Sequence, residues 1–276
     1  MIQKVFLLTI KFIFNIFLLC FSGIYLNAIS YTGIIEPIKK VNLSLAINGI
    51  VSNIKIKEGA EVQKGALILT LNNTIQKLEV QRRKVLLDDT SRLFYLEKEL
   101  KVVKSIFDAS QELYTVTGSI SKNELDNYEV KYYKLLGELE ALKGNKKREQ
   151  VEYELEYGKL KQYTLTSPFR GIITKISLDI GEWAKLGESI VELVDSSTCF
   201  VETNIPEAKV HSIKLGQTSN IKINRLNKVI EKKGIVTYIS PIADSSSGLV
   251  LIKIEFENKD LNIIPGVIAT MDINSI

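Results

Sequence analysis

Residues 47–73 and 169–195 carry one pattern written twice, 122 positions apart. Set against each other, INGIVSNIKIKEGAEVQKGALILTLNN and FRGIITKISLDIGEWAKLGESIVELVD align their glycines as Gly49/Gly171, Gly59/Gly181 and Gly65/Gly187. The apolar residues align as Ile50/Ile172, Ile54/Ile176, Ile68/Ile190 and Leu71/Leu193. Glycine held at one spacing implies turns with φ above zero, where a side chain is not tolerated, so the copies are expected to share a backbone. Each reads as a short β unit: apolar alternation, a glycine turn, then a second strand.

The stretch between the copies has another character. Residues 75–114 hold no Gly or Pro, and Leu86, Leu93, Leu96, Leu100, Val103, Phe107 and Tyr114 follow heptad spacing, which predicts one long helix. Residues 117–121, Thr-Gly-Ser-Ile-Ser, break the pattern, and Ser121 with Glu124 forms a capping box that opens a second helix. Leu125, Tyr128, Tyr132, Leu135, Leu139 and Leu142 continue the a/d seam. If the chain folds back near residue 118, residues whose numbers sum to roughly 235 lie side by side. Asp88 and Asp89 then face Lys146, Lys147 and Arg148, while Arg82, Arg83 and Lys84 face Glu149, Glu152 and Glu154. Exposed pairs of this kind contribute about 0–1 kcal/mol each, enough to choose a register. Gly144-Asn145 and the polar run to Gln150 interrupt the seam and predict a kink in the second helix.

Two β halves of this kind resemble the halves of a biotinyl/lipoyl-type domain. Carrier domains present a lysine on the turn between halves; Thr70-Leu71-Asn72-Asn73 stands there instead, so no carrier lysine is available. A lipoyl-like unit split by a helical hairpin is similar to the periplasmic adaptor, or membrane fusion protein, family (haemolysin-D-like) of bacterial tripartite efflux pumps and type I secretion systems. The resemblance implies an α+β chain: a split lipoyl-like β sandwich with an inserted coiled-coil hairpin, a small antiparallel β barrel and an N-terminal hydrophobic segment. The expected layout is 1–30 as signal peptide or anchor, 31–40 with 197–276 as barrel, 41–73 with 164–196 as the lipoyl-like halves, and 74–163 as hairpin.

The C-terminal part supports the barrel on its own. Short apolar runs recur at 199–205, 218–223, 234–240, 249–256 and 267–273, separated by turn signals at Gly216, 244–248, 258–260 and Pro265-Gly266. A strand over 31–38 is expected to complete it. Pro206-Glu207 opening a short helix, Gly216-Gln217, the run from Gly234 to Pro241 and Pro265-Gly266 resemble the family's barrel, whereas Ile264, Val267 and Ser247-Gly248 depart from it. Adaptors of resistance-nodulation-division pumps carry a further β domain after the barrel. Here the sequence closes on the barrel, so transporter docking is expected to rest on the barrel and the N-terminal segment.

That segment places the chain. Lys4 and Lys11 precede residues 12–35, which are 24 positions without a charge. About 20 apolar residues span a bilayer, and basic residues stay in the cytoplasm, so an anchor reading exports everything that follows. Ala28-Ile29-Ser30 also suits signal-peptide cleavage before Tyr31. Either way the β and helical parts belong in the periplasm, attached to the inner membrane by the segment or released by cleavage. Leu19 before Cys20 is too large for a lipid-attachment box. Beyond Cys20 only Cys199 remains, so no internal disulfide is expected. With 36 basic and 32 acidic residues the charge excess is too small and dispersed for nucleic-acid binding.

No chemical constellation appears. His211 is the single histidine and has no Cys or His cluster beside it; Met1 and Met271 are the two methionines, too few for a Met-rich copper or silver site. There is no Walker loop. The expectation is a non-enzymatic subunit with no cofactor or metal. The resemblance implies a link between an inner-membrane transporter (resistance-nodulation-division type or MacB-like ABC) and an outer-membrane duct for small-molecule efflux, with self-association as a homo-hexamer ring. A type I ABC secretion adaptor for peptides or proteins, or an envelope coiled-coil scaffold, are the alternatives. At the hairpin tip the family pattern places contact residues at Ser121, Tyr114 and Ser110, where Ser121 matches, Tyr114 replaces a leucine and Ser110 an arginine. Tyr114, Thr117, Gly118, Ser119, Ile120 and Ser121 are the implied duct contacts. Trp183, two residues beyond the Gly181 turn, is expected to pack in the core, with a ring contact as its second role.

Overall fold

A computed structural model describes residues 30–225 and 228–272; the N-terminal segment predicted as anchor or signal peptide lies outside the described residues. In chain order the elements are β1 (Ser30–Ser44), β2 (Gly49–Ile54), β3 (Glu61–Val62), β4 (Leu67–Leu71), α1 (Thr74–Asp88), α2 (Ser91–Glu112), a π-helical turn (Leu113–Thr117) and α3 (Lys122–Lys161). There follow β5 (Thr164–Thr166), β6 (Gly171–Ile176), β7 (Trp183–Ala184), β8 (Ser189–Pro206), α4 (Glu207–Val210), β9 (Thr218–Arg225), β10 (Lys228–Ala243), β11 (Leu249–Glu257) and β12 (Ile268–Asp272). The chain divides into two compact units, residues 30–40 with 194–272 and residues 41–193.

The first unit is a six-stranded barrel in the order β1-β12-β9-β10-β11-β8, closed by pairing of β8 with β1. Strict alternation makes it: along β11 Val250, Ile252, Ile254 and Phe256 point inward, opposite Ile205, Thr203, Val201 and Cys199 of β8. Each large aliphatic fully buried here contributes about 1.5–3 kcal/mol. The predicted first strand and the short helix after Pro206 are both present. Closure depends on Gly33, where a Cβ would stand 2.4 Å from the Glu202 carbonyl oxygen and 2.7 Å from a Val201 methyl.

In the second unit the duplication becomes a pseudo-two-fold. The second strand of each copy pairs with the first strand of the other: Gly49 opposes Ala184, and Val62 opposes Gly171. Loop hydrogen bonds repeat at the same offset. Gly59 N–H donates to Ile173 O at 2.7 Å and Gly181 N–H to Val51 O at 2.8 Å; Lys55 N–H reaches Ile68 O at 2.8 Å and Ser177 N–H reaches Ile190 O at 2.8 Å. Gly59, Gly65, Gly181 and Gly187 all have φ between 75° and 94°. Gly49 and Gly171 correct the expectation of positive φ at all six glycines, since each opens a strand outside the left-handed region. At Gly49 the constraint is packing instead: a Cβ would meet Leu71 Cδ1 at 2.9 Å. Ile68, Leu69, Leu71, Ile173, Ile190 and Leu193 form the dry centre.

The helices leave this β unit after β4 and return to β5. Two expectations fail here. The first arm is broken into α1 and α2, because Asp89 is extended (φ −73°, ψ 99°) and its carboxylate accepts from Ser91 N–H at 3.1 Å in a local turn just before the new helix. The second arm is continuous over 40 residues, with no kink at Gly144-Asn145. Lys146 bridges the two arms at this level, its ammonium reaching across to the Leu86 carbonyl at 2.9 Å in the last turn of α1. Leu86 consequently falls out of the seam and is exposed, as is Tyr114. Between α2 and α3 the apolar seam holds Leu96, Val103, Leu135 and Leu139, with Phe107 stacked on Tyr132. Between α1 and α3 polar contacts replace it: Gln76 to Glu156 at 2.8 Å, and the ion pair Arg83–Glu152.

Candidate docking surfaces

The tip is built by a change of helix period. The π-helical turn runs into Gly118 (φ 64°, ψ 17°), whose left-handed conformation ends the first arm. Thr117 Oγ1 donates to Leu113 O at 2.8 Å and sits 2.6 Å from Ser119 Oγ, while Ser119 N–H closes back on Leu113 O at 3.4 Å. Ser121 Oγ accepts from Glu124 N–H at 3.2 Å, starting α3 as the capping motif predicts. Thr117, Gly118, Ser119 and Ser121 are exposed, Ile120 is partly buried, and Ser110 is buried between the helices. Sequence reading passed over the exposed apolar residues of this turn, Leu113 and Val116, the latter 75% exposed. Their signal was present as β-branched and apolar residues beside the break, but they fall outside the heptad positions that define the seam.

A second surface emerges from comparing the two β copies. Trp183 is 56% exposed, against the expectation of core packing. Its equivalent in the first copy is Glu61; likewise Ile180 corresponds to Glu58 and Leu186 to Lys64. All three apolar residues are exposed, and Ile50, opposite Trp183 in the β2–β7 ladder, is 46% exposed. The charged set reaches across to the other half: Glu61 holds Arg170 at 2.6 Å and Glu58 accepts from Ile176 N–H at 2.7 Å. Because both halves keep the same backbone hydrogen bonds, the fold does not require apolar side chains at these three positions.

A third surface lies along the base of the helices. Ile75, Leu78 and Val85 on α1 and Val151 and Leu155 on α3 are between 57% and 84% exposed. Spacings of three, four and seven make these apolar stripes on helix exteriors.

Among the described residues no group of three or more His, Cys, Asp or Glu side chains could hold a metal. His211 is exposed, with a ring nitrogen 3.0 Å from Glu207 Oε1. Cys199 is buried in the barrel, where desolvation pushes its thiol up to about 11. Beside it Asn258, fully buried, donates to Ser196 O and Ile263 O at 2.9 Å each and accepts from Ile263 N–H at 3.1 Å. In the sequence Asn258 reads as a turn residue only; in the fold it ties the end of β11 to β8 through Ser196 and to the loop before β12 through Ile263.

A barrel, a duplicated β unit and a helical pair with exposed apolar faces define a scaffold class whose distinctive features are surfaces. Residues 198–275 match the family model of the CusB-like β-barrel domain. Multidrug resistance protein MdtA of Pectobacterium atrosepticum is 24% identical over 86% of this chain and 56% of its own length. Macrolide export protein MacA of Escherichia coli O157:H7 is 23% identical over 67% of this chain and 51% of its own. The chain thus spans about half the length of these curated relatives. The fold is that of MacA from Actinobacillus actinomycetemcomitans, with a TM-score of 0.73 at 21% identity over 90% of this chain and 79% of that one. It is shared by the membrane fusion protein Spr0693 from Streptococcus pneumoniae R6, with a TM-score of 0.61 at 10% identity over 90% and 99%. Barrel match, relatives and fold make the chain similar to membrane fusion, or periplasmic adaptor, proteins.

Proposed function

We propose that the chain is the periplasmic adaptor subunit of an export complex, joining an inner-membrane exporter of resistance-nodulation-division or MacB-like ABC type to an outer-membrane duct for small-molecule efflux. The observation that carries this reading is the helical pair inserted between two pseudo-symmetric β halves, with a capped, partly apolar tip some 60 Å of helix away from them at 1.5 Å per residue. Such an insert, acting as a coiled-coil hairpin, is a reach device. Tyr114, Thr117, Gly118, Ser119, Ile120 and Ser121 would meet the duct, with Leu113 and Val116 adding apolar contact. The Trp183 face and the stripes on α1 and α3 support side-by-side association of copies, in a ring of about six by the family resemblance, since exposed apolar sets of this kind mark contact sites. The residues before the barrel would hold the complex to the inner membrane.

Affinity isolation of the natively expressed, cross-linked protein from membranes, followed by mass spectrometry, tests this. Co-recovery of an inner-membrane exporter and an outer-membrane duct is the expected result and names the exporter class. Recovery of neither, under cross-linking that captures a control envelope complex, overturns it.

A further inference from the structure

The barrel has one end defined by strand direction. β1 begins there at Ser30, opposite Asp272 at the end of β12, and the antiparallel order brings the starts of β9 and β11 and the ends of β10 and β8 to the same end. The β8–β9 connection and the turn between β10 and β11 therefore both lie on this rim. Each carries an exposed apolar side chain: Leu215 in the connection, 66% exposed, and Ile242 at the end of β10, 76% exposed. Acidic groups of the rim are engaged. Asp244 accepts from Ser246 N–H, Ser247 N–H and Ser247 Oγ at 2.8–3.1 Å, Asp272 pairs with Lys222 at 2.7 Å, and Glu207 meets His211. Lys209 and Lys214 lie within the connection.

Chain length fixes what this rim faces. The uncharged run opens at Phe12, after Lys11, and a span of about 20 residues counted from there ends inside β1. If that run is the membrane anchor, a point on which this inference rests, almost no tether separates the bilayer from Ser30, because each extended residue adds only about 3.3 Å. The strand-start rim is then held at headgroup level, and Leu215 and Ile242 sit in the interface instead of in water. We infer that this rim is a membrane-contacting surface of the barrel, with Leu215 and Ile242 inserted among the lipids of the bilayer that holds the anchor. The anchor and the rim act together, in keeping with the rule that stable attachment at a bilayer uses two signals.

The test uses the full chain with Cys20→Ser, reconstituted in phosphatidylethanolamine/phosphatidylglycerol vesicles without any transporter. An environment-sensitive fluorophore is attached in the native state at Leu215→Cys, Ile242→Cys or Val229→Cys; buried Cys199 stays unlabelled, and Val229, 60% exposed near the opposite end of the barrel, is the control. Nitroxide-bearing lipid is expected to quench the labels at 215 and 242 several-fold more than the label at 229, with intact mass showing residues 1–29 retained. Equal quenching at all three positions in a chain of full mass overturns the rim contact and leaves the anchor standing. A membrane-isolated native protein whose mass lacks the N-terminal segment overturns both.

Discussion

At Gly33 and Gly65 the same residue type is required for different reasons, and the two are separable by experiment. Gly65 has φ 83° with open space where a Cβ would go, so Gly65→Ala is expected to cost the left-handed penalty of about 1–2 kcal/mol. Gly33→Ala drives a Cβ into the Glu202 carbonyl across the β1–β8 closure, an overpacking worth about 1–3 kcal/mol together with loss of ladder contacts. Urea unfolding followed at the barrel should show a lowered midpoint for Gly33→Ala and none for Gly65→Ala, whose effect belongs to the other unit. Cys199 predicts a pH dependence. Its folded pKa of about 11 lies above the unfolded thiol value of about 8.5, so over that window the unfolded chain releases a proton that the folded chain keeps. Stability is therefore complete below about pH 8.5 and falls as pH rises toward 11. Cys199→Ala should flatten that part of the profile, and an unchanged slope would assign it to other groups.

Among the elements, the helical pair shows a division of labour. The α2–α3 section is held by buried leucines and valine, the α1–α3 section by charge and amide contacts, so mutations in the two sections should differ in size. Leu139→Ala, at a position 4% exposed, should cost about 2–5 kcal/mol, read by loss of helical circular dichroism on heating. Arg83→Glu should cost no more than about 1 kcal/mol and be largely restored by Glu152→Arg, because the pair is partly exposed and acts on register. Ser121→Ala removes the α3 cap and should cost about 1 kcal/mol. If the tip meets a duct, that variant should also loosen the partner contact measured by cross-linking from residue 118. The break at Asp89–Thr90 was readable as Asp-Asp-Thr-Ser, a run of residues that compete with helix for backbone donors. Heptad spacing across it outweighed that signal in the sequence reading, and the extended Asp89, accepting from Ser91 N–H, shows which was stronger.

For the whole molecule, the duplicated β unit is symmetric in backbone and asymmetric in surface. Trp183→Glu restores the charge type that the other half carries at Glu61. It is therefore expected to leave the melting temperature within a degree or two while shifting sedimentation toward the monomer at a given concentration. A large loss of melting temperature would instead mean that the indole supports the fold, and unchanged sedimentation would remove this face from the assembly. Either outcome bears on the adaptor reading only through oligomerisation and leaves partner capture as a separate test.

The duplication, the inserted helical pair, the Ser121 cap and the six barrel strands followed from local pattern, because glycine spacing, alternation and heptads are properties of neighbouring residues that survive in the sequence alone. What the tertiary structure decided depends on residues far apart in the chain. Only the β2–β4 pairing shows that Gly49 is constrained by Leu71, only pairing across the copies that Trp183 faces outward opposite Ile50, and only the folded barrel that Asn258 is a buried hub. Only the barrel's strand directions bring Ser30, Leu215 and Ile242 to one end. Burial and proximity arise from closure of long loops, and residue type constrains them weakly: a tryptophan after a glycine turn has the same local pattern whether it enters a core or waits for a partner.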